Sequence, residues 1–163
     1  MTMDQAHGPQ GVDVRDQAAP VPAASIYETD FYGWAHQQAA LLRAGRMADA
    51  DIANIAEEIE SLGRSERREL VSRLTVLLQH LLKWQHQPER RSKSWQLSIR
   101  NARIDFRKHL AENTSLATPA RLDEAIEDAY RHALADAANE TGLDIDVFPA
   151  ACPWAHAESI ADD

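Results

Sequence analysis

The chain has a single cysteine, Cys152, so it can form no intramolecular disulfide, and a reducing compartment is the expectation. It has only six glycines in 163 residues, too few for the many turns of an all-β fold. No apolar run approaches the roughly eighteen residues that cross a bilayer, so no membrane span is expected. Met1 to Ala19 contain neither a basic n-region nor an apolar h-region, the two parts of a secretory signal. These absences point to a cytoplasmic protein with no membrane partner.

What is present favours helix. Hydrophobic residues make up 44% and charged residues 26%, values that support one packed domain, and alanine and leucine abound. The net charge of −9 hides a segregation. Between Arg64 and Lys108 lie twelve basic residues against four acids, a local charge of +8, so the rest of the chain carries −17. A basic middle between acidic flanks can be a nucleic-acid face. It can equally pair internally with acidic neighbours, and that reading comes first.

Residues 1–25 carry Pro9, Pro20 and Pro22 and few large apolar groups, so a disordered tail is expected before a single domain over 26–163. Thr29 or Asp30 caps a first helix that stops at Gly45. A second starts at Asp49 or Asp51 and sets Ile52, Ile55, Ala56, Ile59 and Leu62 on one stripe. Gly63 offers either a stop or an interior position; the stripe continues through Leu70, Leu77, Leu81 and Trp84, which favours one long central helix. Such a helix puts Glu66 and Arg73 on the stripe, where each needs a partner. Pro88 ends it. Ser92 or Ser94 caps the next helix, whose core stripe is Trp95, Ile99, Ala102, Phe106 and Leu110, with Leu97, Ile104 and Ala111 opposite. Thr118 and Pro119 open a last long helix with a small inner face, stopped by Gly142. The segment with Phe148, Cys152 and Trp154 reads as irregular chain laid over the bundle. The fold class is all-α, a bundle of four to five helices.

Chemistry-bearing patterns are sparse. None of the seven histidines lies four residues from another or three after a glutamate, so no metal-ligand spacing is found and no cofactor is expected. The series Glu124, Asp128, His132, Asp136 and Glu140 spirals around its helix and reads as a solvated surface. Glu57, Glu58 and Glu60 form an acidic cluster, with Arg64 four residues after Glu60. Such a cluster does acid–base work only if burial or repulsion shifts one member, and the ordinary reading is a helix ion pair. Arg90, Arg91, Lys93, Ser94 and Trp95 sit at a helix start, where the macrodipole disfavours cations and calls for a compensating anion. Internal glutamates of the second helix, or an outside anion stacked between Trp84 and Trp95, would each supply it.

Four strings carry a resemblance: Tyr27 with Asp30-Phe31-Tyr32-Gly33-Trp34, Glu57-Glu58-Ile59-Glu60-Ser61-Leu62-Gly63-Arg64-Ser65-Glu66, Leu81-Leu82-Lys83-Trp84-Gln85-His86-Gln87-Pro88-Glu89-Arg90-Arg91-Ser92-Lys93-Ser94-Trp95, and Thr141-Gly142-Leu143 followed by Phe148-Pro149 and Cys152-Pro153-Trp154. The chain resembles the bacterial family called domain of unknown function twenty-nine, in which tyrosine often stands where this chain has Trp154. The resemblance implies an all-α bundle in a bacterial cytoplasm and brings no established reaction. The leading functional expectation is a non-enzymatic helical interaction module that self-associates through leftover apolar stripes. A nucleic-acid or phosphoanion binder using the basic middle, and an enzyme built on Glu57, Glu58 and Glu60, are the alternatives.

Overall fold

The structure, a computed structural model, describes residues 23–154. The expected tail lies outside the described residues as far as residue 22. Five α-helices follow in order: α1 (Ala23–Thr29), α2 (Phe31–Arg43), α3 (Ile52–His86), α4 (Lys93–Glu112) and α5 (Pro119–Thr141). Short 3-10 turns join them, and no strand occurs among the described residues. The chain is all-α, and it divides between Glu57 and Glu58 into two compact units.

In the first unit Asp30 is the cap of α2, its carboxylate accepting the Gly33 N–H at 2.9 Å. A Cβ at Gly33 would stand 2.4 Å from Asp30 Oδ2, so a side chain there would push the capping carboxylate aside. Tyr27, Phe31 and Trp34 pack their rings against one another, with centroids 4.8–5.9 Å apart. Trp34 is buried, and its indole N–H donates to Asp51 at 3.3 Å. Asp51 caps α3 in turn, accepting the Asn54 N–H at 3.3 Å, while its own N–H donates to Gln38 at 2.8 Å. The Asn54 hydrogen bond holds the Asp51 carboxyl below its usual range, so the cap stays charged.

In the second unit α3 runs unbroken through Gly63, as the continuous stripe favours. At 35 residues it is about 52 Å long. Leu70, Leu74, Leu77, Leu78 and Leu82 are fully buried, packed with Ile99 and Phe106 of α4 and Leu122, Ile126 and the alanines of α5. Truncating any of these leucines to alanine costs about 2–5 kcal/mol on this physics. Alanines at 125, 129, 133 and 137 let α5 lie close to α3, and Thr75 Oγ1 reaches the Ala129 carbonyl at 3.4 Å. Thr118 occupies the N-cap position of α5 without a side-chain cap bond, and Pro119 fills the first turn. Gly142 ends the helix at φ +72°, a left-handed conformation that glycine adopts at no steric cost.

The two stripe charges find the partners they need. Glu66 accepts from Asn113 at 3.1 Å, and Arg73 pairs with Glu69 at 2.8 Å and donates to the Asp105 carbonyl at 3.3 Å. The buried His109 ring sits 2.9 Å from the Glu66 carbonyl. These contacts place the C-terminal end of α4 at the level of Glu66. The α3 residues from Glu58 to Ser65 therefore run past the end of α4. After α5, Phe148 is buried and stacks edge-on to His86 at 4.9 Å, and the Tyr130 hydroxyl donates to the Pro149 carbonyl at 2.6 Å. Burial raises the Tyr130 hydroxyl to about 12, so this tie holds at every physiological pH. No helix of the described residues is long and apolar enough to cross a membrane.

Candidate binding surfaces

The basic middle is partly neutralised from within, as the first reading of its charge expects. Arg67 of α3 pairs with Asp128 of α5 at 2.7 Å and approaches Glu124 at 4.0 Å. Lys83, 7% exposed, pairs with Glu140 near the end of α5 and lies 4.9 Å from the Trp95 ring centroid. The Arg67 and Lys83 hydrogen bonds hold Asp128 and Glu140 below the usual carboxylate range. Three members of the expected solvated row on α5 thus face cations of α3, while His132 and Asp136 are exposed.

The helix-start cations behave differently from an internal clamp on the acidic cluster. Along the continuous α3, Glu60 lies 24 residues from Trp84, about 36 Å. Arg91 instead donates from Nε to the Trp84 carbonyl at 2.8 Å, satisfying a C-terminal acceptor of α3, and lays its guanidinium 5.0 Å from the Trp84 ring centroid. Ser92 caps α4, accepting the Trp95 N–H at 3.3 Å, while Arg90, Lys93 and Ser94 are exposed. The Trp95 ring lies against the Lys83 ammonium, and the Trp84 ring against the Arg91 guanidinium. Sequence reasoning misses what Trp84 does line: a cleft of about 560 Å³ with Leu81 of α3 and Gln96, Ile99, Arg100 and Arg103 of α4. Its signal is readable in retrospect, since Gln96, Arg100 and Arg103 recur at helical spacing along one flank of the α4 core stripe.

At the other end of α3, Glu60 and Arg64 make the expected helix pair at 3.6 Å, and Glu57 and Glu58 precede them on the same helix. Here the apolar stripe is bare. Ile59 is 63% exposed and Leu62 is 68% exposed. On α4, Leu97 and Ile104 also face solvent. A second cleft lies between α5 and the C-terminal segment, with Tyr130 and a half-buried Cys152 in its wall, and burial raises the thiol above its usual range. No three His, Cys, Asp or Glu side chains among the described residues are grouped to hold a metal ion.

The fold and its surfaces define an all-α protein whose second unit is a helical bundle with a bare apolar stripe at one end and a cationic cleft at the other. The chain belongs to the family described as Domain of unknown function DUF29, which matches residues 26–163. No curated protein and no solved structure matches it.

Proposed function

We propose that this protein is an α-helical interaction module that pairs with a second copy of itself through the bare end of α3. One observation carries the reading: the stripe that buries Leu70, Leu74 and Leu77 continues to Leu62 and Ile59, which stand in water. Contiguous exposed apolar surface of this kind marks interaction sites in small domains. Two features favour a copy of the chain over another partner. Gly63 sits in the stripe with nothing within 4 Å of where its Cβ would stand, so two backbones can approach there. Glu60 and Arg67 lie seven residues apart on one flank of the stripe. In an antiparallel pair of α3 helices centred between Gly63 and Arg64, Glu60 of each copy falls opposite Arg67 of the other, whose guanidinium is held by Asp128 of α5 and is still 42% exposed to take a second carboxylate.

Sedimentation equilibrium of the full chain tests this. The wild type is a concentration-dependent dimer, and Leu62→Glu is a folded monomer with unchanged helical circular dichroism. A wild type that stays monomeric at high micromolar concentration overturns the proposal.

A further inference from the structure

The cleft between α5 and the C-terminal segment is lined by residues that self-pairing does not use. Its floor is Ile126 and Tyr130 of α5, both almost fully buried, and its other wall is the chain from Ala150 to Cys152. The Tyr130 hydroxyl, bonded to the Pro149 carbonyl, fixes that wall against the helix, so the cleft is formed before anything enters it. Asp123 and Glu127, one turn apart on α5, stand exposed at its edge. Three other acids of this helix, Glu124, Asp128 and Glu140, turn to cations of α3. Asp123 and Glu127 meet no cation or hydrogen-bond donor among the described residues. Arg131 lies four residues after Glu127, the spacing of a helix ion pair, yet its guanidinium is held by Asp128.

Charge and shape together select the ligand. Two uncompensated carboxylates call for positive charge, and the apolar floor beneath them calls for that charge to be carried on hydrocarbon. A bare metal ion would leave Ile126 and Tyr130 unmatched, and among the described residues no third ligand joins the two carboxylates. A single ammonium group would leave one carboxylate without a partner. Residues 155–163 carry Glu158, Asp162 and Asp163 and no lysine or arginine, so their charge does not answer the site. Four residues of helix set Asp123 and Glu127 about 6 Å apart along the axis. The two nitrogens of an extended four-carbon diamine are separated by five bonds in zigzag, also about 6 Å. At about 560 Å³ the cleft falls in the size range of small-molecule sites, roughly 300–1,000 Å³. The net charge of −9 draws small cations toward the chain.

We infer that this cleft is a binding site for a short aliphatic diamine, its two ammonium groups held by Asp123 and Glu127 and its methylenes laid over Ile126 and the Tyr130 ring. No lining residue belongs to α3, so this inference and the dimer proposal fail independently.

Isothermal titration calorimetry of the full chain at fixed ionic strength decides it, with putrescine (the four-carbon diamine), butylamine and butanediol as separate titrants. Putrescine binds one per chain and at least about tenfold more tightly than butylamine, and butanediol does not bind. Glu127 is exposed, so Glu127→Gln folds, and it weakens putrescine at least about tenfold. Asp136→Asn removes the same charge from an exposed position of the same helix outside the cleft, and it leaves binding unchanged. That contrast separates a built site from general attraction to an acidic chain. An absence of putrescine binding, butylamine binding as tight as that of putrescine, or equal effects of Glu127→Gln and Asp136→Asn overturns the inference.

Discussion

Lys83 and Glu140 form an ion pair that ties the last turn of α3 to the last turn of α5, with the Trp95 ring of α4 4.9 Å from the ammonium. Three helices therefore meet at one charge. Lys83 is almost wholly buried and Glu140 is half in water. Glu140→Gln leaves the ammonium without its anion. The expected loss is roughly 1–2 kcal/mol, below the full penalty for a buried pair because solvent screens the carboxylate side. Urea denaturation at neutral pH measures it. The Glu140 carboxyl is held below its usual value of 4.5, so its contribution is present above that pH and is lost as pH falls through the depressed value. At a pH well below that value, where the carboxylate is protonated in both states, the two proteins should converge in stability. A gap that persists there would mean the lysine pair is not the cause.

His80 lies one turn before Lys83 on the same helix. Burial and then the nearby Lys83 charge lower its imidazole below 6.5, while Glu140 opposes them. The unfolded chain therefore binds a proton before the folded one does. Stability rises with pH across the window just below 6.5 and is lost as pH falls through the lowered value. His80→Gln should flatten the dependence of the denaturation midpoint on pH in the window just below 6.5, relative to wild type. An unchanged slope would show that His80 titrates alike in both states.

Two residues of α4 separate its faces. Phe106 is buried, and Phe106→Ala should cost about 3–5 kcal/mol. Ile104, 46% exposed, lies nearly opposite, and Ile104→Glu should stay within about 0.5 kcal/mol of wild type. Thermal unfolding followed by circular dichroism reads both. Comparable losses at the two sites would mean the outer stripe of α4 is covered in solution.

The parts of the fold that are legible in the sequence are those written in local chemistry. Asp30, Ser92, Pro119 and Gly142 mark helix ends because caps and left-handed stops act within four residues. Gly63 is ambiguous because one residue type serves both a helix interior and a stop, and only the continuity from Ile59 to Leu70 settles it. Pairings across long separations have no such local signature. Lys83 meets Glu140 57 residues away, and Arg67 meets Asp128 61 residues away, so a row that spirals around α5 reads as solvated until α3 is laid beside it. The cleft beside Trp84 is hidden for the same reason, since Trp84 and Arg100 belong to different helices. His109 is readable: it stands three residues after Phe106 on the core side of α4.

The unbroken course of α3 through Gly63 makes it one helix in geometry and two in energy. From Leu70 to Leu82 its backbone N–H groups are locked behind the core, and their exchange with solvent deuterium requires the bundle to come apart. From Glu58 to Ser65 only the turn at Ser115 and Leu116 and the first turns of α5 lie near, across a cleft that Glu60, Gly63 and Arg64 line, and a helix segment with so little tertiary packing is marginal in water. Those turns persist because they extend a nucleus already formed downstream, which spares them the cost of starting a helix. Their amides should therefore exchange through small local openings, with protection decaying from Leu70 back toward Glu58. A second copy laid along Ile59 and Leu62 would abolish that gradient and carry the slow-exchanging register of the bundle about three turns further along the same rod.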